Sequence, residues 1–450
     1  MNVEILIQIL HSWISGWPLI IFAVGAGIVC TVALSFIQIR YFMQAWKYML
    51  FPATRTTQGT MSPIQAFINT LSANLGNGSV AGMAAAVYSG GPGAAFWVVA
   101  MGLIMMSVRF AEVYLSTYFS AFAKNPADKG QGGLGGPMLY LRSVVGGRVL
   151  AFLYAIFCFL LSIITGNAMQ TNSIGLSVAT TWGVPYVVTA VIATLFILFV
   201  VSGGSARIVK ASEAIVPLKV GIFFGSSIIV LAYHYQSIGS ALSLIIKSAF
   251  SPVALAGGAL GFGIQQAMRY GILRTVLATE SGLGTAAILF GATGSKEPVK
   301  DGILSMLSTF ISTLVCFMIA LCIVASGVWD SGLTSTALTI ASFNTVFGWL
   351  GGWVVSFLSI TFGMGVLVAF AYITEEAWLY LVGDTKLMRL VFKVMYCLTA
   401  FIGVFFNVCS MWLLIDIMTA GMLAINLFGV LYLLPIIIKG VQDFKASNQT

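Results

Sequence analysis

The sequence predicts an all-α polytopic membrane protein of about eleven transmembrane helices: a five-plus-five inverted-repeat core with one extra N-terminal helix. Three observations lead there. Apolar residues make up 59% of the 450-residue chain and charged residues 8%, with a mean hydropathy of +1.01, far outside the range of soluble domains. Apolar runs of roughly 20 residues, long enough to span a hydrocarbon core, recur along the whole chain. Basic residues are confined almost entirely to alternate connecting segments, as the topology of a multi-span protein requires.

Taken as spans, the runs cover 18–39, 62–88, 92–122, 146–170, 184–203, 211–235, 251–272, 301–326, 349–381, 388–408 and 410–438. The segment before them contains Glu4, lacks a basic leader and runs directly into the first span, so it reads as an interfacial lead-in rather than a cleaved signal peptide. Setting the first span aside leaves ten, which divide into two sets of five with opposite orientation. The expected organisation is 1–61 (N-terminal transmembrane and interfacial helices), 62–236 and 237–438 (the two repeats), and 439–450 (a cytoplasmic tail). "QIRYFMQAWKYMLF" (Gln38–Phe51) mixes aromatic and basic residues at helical spacing and is expected along the cytoplasmic surface, as is "PMLYLRSVV" (Pro137–Val145). The turn "GQGGLGG" before it lacks the GK[ST] ending of a phosphate-binding loop and reads as a plain connection.

With the N-terminus outside, inward segments hold or adjoin every one of the 21 Lys and Arg residues except Lys247, which predicts an N-outside, C-cytoplasmic orientation. The formal charge of +8 is then a topology device, and nucleic acid is excluded as a partner. The six cysteines fall in apolar stretches without CxxC spacing and read as small hydrophobes rather than disulfides or metal ligands. His11 and His234 are far apart and outside any HExxH pattern. Clustered Asp, Glu, His or Ser at catalytic spacing is missing from the sequence, so an enzyme is not expected.

Two stretches disturb otherwise apolar helices. "LSANLGNGSVAG" (Leu71–Gly82) interrupts the first span of the first set, and "GGALGFGIQQAMRYG" (Gly257–Gly271) enriches the first span of the second set in glycine and glutamine. Glycines in membrane helices often serve only close packing, and that reading stands for both stretches, more strongly for the second. Asn74 and Asn77 tip the first, because two amides three residues apart in lipid need polar partners and packing does not require them. Interruptions at corresponding places in two halves point to a carrier whose site lies at mid-membrane between inverted repeats. Freed N–H groups there suit a carboxylate and freed carbonyls suit an ammonium group or Na⁺, so a zwitterion fits both.

The run "GTMSPIQAFINTLSANLGNGSVAGMAAAVYSGGPGAAFWVV" (Gly59–Val99) resembles the signature of the alanine or glycine:cation symporter family. "GGPMLYL" (Gly135–Leu141), "GNAMQTNSI" (Gly166–Ile174), "GGSARIVKASEAIVP" (Gly203–Pro217), "GILRTVLATESGLGTAAI" (Gly271–Ile288) and "DIMTAGMLAINL" (Asp416–Leu427) continue the resemblance in order. It implies a fold similar to the leucine transporter and Na⁺-driven uptake of alanine, glycine or another small neutral amino acid through a bacterial-type inner membrane. The partners it implies are the amino acid, a coupling cation (Na⁺ or H⁺) and the lipid bilayer, with no cofactor. Carried over by position, Asn74, Leu75, Gly76, Asn77, Gly78 and Ser79 would bind substrate through the main chain of the first core helix. Gln170 would add a side-chain contact, an interrupted sixth core helix around Phe262 to Gln266 would close the pocket, and Met364 and Phe370 would line it. Carbonyls near Ala73 and Asn74, with hydroxyls of the eighth core helix, would coordinate Na⁺.

The departures from the family pattern are informative. The family's paired threonines fall on Gly365 and Val366, which supply no side-chain oxygen to a hard cation. "ATESG" (Ala278–Gly282) replaces the family's Ser-Asn-Glu-Ala-Gly, and Gly78-Ser79 replaces Gly-Asn. Lys219 stands where the family usually has an apolar residue. Either its ammonium substitutes for the coupling ion and can carry a proton, as in sodium-independent carriers of similar fold, or it snorkels to the cytoplasmic interface. Arg109 and Glu112, three residues apart, are expected to neutralise each other near the inner surface. Glu280 and Arg274 are expected at an inner gate, and Asp416 near the outer end of the last span.

Overall fold

The computed structural model describes residues 16–52, 59–122, 135–251, 263–406 and 408–447, and every regular element among them is helical. Helix α1 (Trp17–Ala33) and a short amphipathic α2 (Phe42–Leu50) precede a pair broken at its middle, α3 (Pro63–Asn74) and α4 (Asn77–Gly90). Then come α5 (Ala94–Phe122), α6 (Gly147–Ile163), α7 (Met169–Trp182), α8 (Tyr186–Ser202), α9 (Gly204–Tyr233) and α10 (Tyr235–Phe250). The second half comprises α11 (Ile264–Thr279), α12 (Thr285–Gly291), α13 (Pro298–Ala325), α14 (Ser335–Phe347), α15 (Leu350–Val382), α16 (Lys386–Gly403), α17 (Val408–Tyr432) and α18 (Leu434–Ser447).

Six helices among the described residues are long and apolar enough to cross a membrane: Ala94–Ala121, Gly147–Trp182, Gly204–Tyr233, Pro298–Ala325, Leu350–Val382 and Leu414–Tyr432. Their environments differ. α13 and α15 are buried nearly all round, whereas α8 and α16 expose Ile192, Leu195, Phe199, Val394 and Leu398, an outward apolar face that only lipid satisfies. The core closes through small residues. An added Cβ at Gly102 would lie 2.2 Å from Thr313 Oγ1, and one at Gly302 would lie 2.7 Å from the Phe110 ring, so α5 and α13 approach backbone to side chain.

Several boundaries differ from the sequence expectation. The run expected to end at 170 continues through a π-helical turn, Ile164–Ala168, to Trp182. The run expected at 251–272 is helical from Ile264 and extends to Thr279, and the amphipathic α10 precedes it. Helix α14 falls between expected spans, because its mixed polarity gave no apolar run. "PMLYLRSVV" is not a helix lying on the surface throughout: Pro137–Leu141 is buried, and the chain emerges at Arg142, Ser143 and Val145. The expected tail is helical as far as Ser447.

Candidate functional site

Helix α3 starts at a capping box, with Ser62 Oγ accepting from Gln65 N–H, Gln65 Oε1 accepting from Ser62 N–H, and Pro63 preset in the first turn. It stops because Leu75 (φ −85°, ψ 78°) and Gly76 (φ −117°, ψ −175°) leave helical geometry. The freed groups find specific partners. Asn77 N–H donates to Gln170 Oε1 (3.2 Å), and Asn77 Nδ2 donates to the Ser359 carbonyl (3.2 Å). Gln170 is aimed by the π-turn, whose Thr165 carbonyl accepts its Nε2 at 2.9 Å; π-turns inside α-helices concentrate at functional sites for such reasons. Gly76 is small because a Cβ there would lie 2.6 Å from Val366 Cγ2.

Among the described residues a second interruption lies at Glu280–Gly284, between α11 and α12. Phe262 falls outside the described residues, and Gln266 sits in the first turn of α11 beside Gly90, at the far end of α4. Glu280 takes φ +52°, while Gly282 (φ +87°) and Gly284 (φ +83°) occupy the left-handed region that favours glycine. A buried break of this length exposes many backbone groups, and side chains from elsewhere satisfy them. Arg109 donates to the Thr279 carbonyl. Glu112 Oε2 accepts from Gly282 N–H (3.2 Å) and Gly284 N–H (3.1 Å). Asn426 Nδ2 donates to the Gly282 carbonyl (2.8 Å) and to Glu112 Oε2 (3.1 Å), and Tyr154 donates to the Leu283 carbonyl (2.7 Å). The fully buried pair Arg109–Glu112, 2.9 Å apart as its spacing predicts, therefore braces a helix break. Glu280 caps the C-terminal end of α11 at the break, and Arg274 lies within α11.

The two breaks meet at one cavity of about 30 Å³, with room for a water or two. Of the residues expected at the site, Ala73, Asn74, Gly76, Gly78, Ser79, Gln170, Val366 and Phe370 line it. Leu75, Asn77, Met364, Gly365, Lys219 and Gln266 do not line it. Thr165, Met169, Leu277, Ala278, Glu280 and Ile415 complete the lining; the sequence expects none of them at the substrate site and assigns Glu280 to an inner gate. The Glu280–Gly284 break had a signal in the glycine spacing of "ESGLG", while Thr165 had none before the π-turn was visible. Both polar atoms of the Asn74 amide are buried without a partner, as is Thr165 Oγ1, so the cavity presents open hydrogen-bonding capacity.

Lys219 lies behind the first break. It is fully buried on α9, two residues after the internal Pro217, and its Nζ donates to the carbonyls of Ser72 (2.9 Å) and Leu75 (2.7 Å). Those carbonyls are freed by the end of α3, and the ammonium also stands 5.5 Å from the centre of the Phe362 ring. It reaches no interface, so snorkelling does not describe it. Gly365 faces it: a Cβ there would lie 2.6 Å from Nζ and 3.1 Å from Ser72 Oγ, which itself donates to the Gly365 carbonyl at 2.8 Å. Glycine at 365 and lysine at 219 are thus two halves of one fitted contact.

The sodium:alanine symporter family matches residues 1–450 of the chain. The chain is 33% identical over 450 residues to an uncharacterized transporter of Haemophilus influenzae, covering 99% of this chain and 96% of that one. It is 30% identical to the sodium/alanine symporter AgcS of Methanococcus maripaludis, covering 99% of this chain and 97% of that one. Its fold resembles a Na⁺-coupled sialic acid symporter solved in a substrate-bound outward-open state, with a TM-score of 0.57, 14% identity, and coverage of 88% and 86% of the two chains. The fold is therefore of the leucine-transporter type, and the protein is a secondary transporter of the bacterial plasma membrane rather than an enzyme. The chain belongs to the sodium:alanine symporter family.

Proposed function

We propose that the protein carries alanine, glycine or a similarly small neutral amino acid by alternating access, and that the Lys219 ammonium stands in place of a coupling Na⁺. The names of the family and of AgcS support the substrate class. So does the small cavity, walled by Met169, Val366, Phe370 and Ile415, where each added methylene of substrate must displace packed side chains. The two breaks support an inverted-repeat division into 62–236 and 237–438. α11 packs on α4 and α12 on α3, so the second broken helix runs antiparallel to the first. The basic-residue pattern supports an outside N-terminus and a cytoplasmic C-terminus.

Family membership by itself favours Na⁺ symport. The observation that favours Lys219 instead is its Nζ, bonded to Ser72 and Leu75 carbonyls opposite a glycine with no hydroxyl to offer. Purified protein in proteoliposomes, loaded with choline in place of Na⁺, tests this directly. Undiminished L-alanine uptake in choline is expected, with accumulation driven by an inward proton gradient or by exchange for internal alanine. Loss of uptake in choline would return the site to Na⁺ symport, and transport of neither alanine nor glycine would remove the substrate assignment.

A further inference from the structure

The second break gives the cavity a carboxylate with an open valence. Glu280 is 5% exposed and lines the cavity. Its Oε2 accepts from Thr285 Oγ1 at 2.7 Å, which is its only hydrogen-bond donor among the described residues. The buried cations nearest this centre are committed elsewhere. Arg109 bonds to the Thr279 carbonyl and Thr309 and pairs with Glu112, and Lys219 bonds to two carbonyls of the first break. An ionised carboxylate buried with a single donor is stabilised chiefly by a cation facing its remaining oxygen.

The same cavity is lined by the first turn of α4, where Gly78 and Ser79 form part of the wall and the helix dipole presents its positive end. The unpartnered Asn74 amide and Thr165 hydroxyl belong to residues that line it too. One negative group and one positive helix end lining the same cavity match the two ends of an α-amino acid, and the cavity, with room for a water or two, must widen to admit one.

Building on the amino acid reading above, we infer that Glu280 receives the α-ammonium of the substrate while the first turn of α4 receives its carboxylate. The residue then sets a specificity that cavity size cannot. A 2-hydroxy acid of the same shape leaves the carboxylate facing a neutral hydroxyl, and an N-acylated amino acid both removes the charge and overfills the space.

The test is competition against labelled L-alanine by the full-length purified protein, using unlabelled L-alanine and L-lactate, in wild type and in Glu280→Gln. In wild type, L-lactate is expected to compete at least about tenfold more weakly than L-alanine, the size of effect that follows from losing one charge-assisted bond. In Glu280→Gln, alanine binding weakens by a comparable factor while binding of labelled L-lactate is unchanged or improved. Equal competition by lactate and alanine in wild type overturns the assignment without any variant, so it does not depend on Glu280→Gln folding. Alanine affinity in folded Glu280→Gln within about threefold of wild type overturns it as well. A wild type that binds alanine while failing either criterion defeats Glu280 alone, whereas a wild type that binds no small neutral amino acid defeats the substrate reading and this assignment together.

Discussion

The fitted contact between Gly365 and Lys219 predicts that the two positions are energetically inseparable. In Gly365→Ala the new Cβ falls 2.6 Å from Lys219 Nζ, which cannot retreat without loosening its bonds of 2.9 and 2.7 Å to Ser72 and Leu75. Overpacking of this kind costs about 1–3 kcal/mol. Weakening one charged hydrogen bond adds up to about 1.5–3 kcal/mol. Against this, replacing a mid-helix glycine with alanine gains about 0.5–1 kcal/mol. A net destabilisation of roughly 1.5–5.5 kcal/mol is expected from these opposing terms. Lys219→Met removes Nζ. The remaining contacts of the added methyl, at 3.1 Å to Ser72 Oγ and 3.3 Å to Ile215 Cγ2, need only a few tenths of an ångström of give. Gly365→Ala in that background should be neutral or stabilising. The cycle therefore carries a coupling of at least about 1.5 kcal/mol, well above the ~0.5 kcal/mol scatter of independent sites. Unfolding of the four purified proteins in mixed detergent, followed by helicity, measures it. Additive costs, or a Gly365→Ala variant as stable as wild type, would refute the fitted-pair reasoning.

Other expectations follow from the same geometry. Glu112→Ala strands Arg109 and two backbone N–H groups of the second break and should cost about 3–5 kcal/mol, seen as loss of monodisperse protein on gel filtration. Gly166→Ala would set a Cβ 2.2 Å from the Phe370 ring; uptake should fail in a folded protein and recover in part when Phe370→Ala is added. Gln170→Ala removes the acceptor of Asn77 N–H and should weaken alanine binding roughly tenfold in equilibrium binding, without loss of fold. The proposed orientation predicts that exposed Lys247→Cys reacts with an impermeant maleimide on intact cells, while exposed Lys386→Cys reacts only after permeabilisation. Labelling of both from one side would sink that orientation.

The first break was legible because its signal is local: Asn74 and Asn77 are expensive in lipid, and glycines beside them allow the chain to leave helical geometry. The break at Glu280–Gly284 is less local: "ESGLG" is accommodated because Arg109, Glu112, Tyr154 and Asn426 reach its backbone from distant segments. Arg109 and Glu112 were read as a self-neutralising pair from their spacing, and they are paired, but the role of that pair depends on what lies across from it.

The sequence by itself determined the solvent, the helical class and the family, because burying an uninterrupted apolar run in lipid depends on composition and length alone. Tertiary structure decided which interruption became part of the cavity and where the Lys219 ammonium rests. It also decided which carboxylate faces the centre. The first two outcomes turn on satisfying buried backbone groups whose partners, Lys219, Glu112 and Asn426, lie more than 100 residues away along the chain.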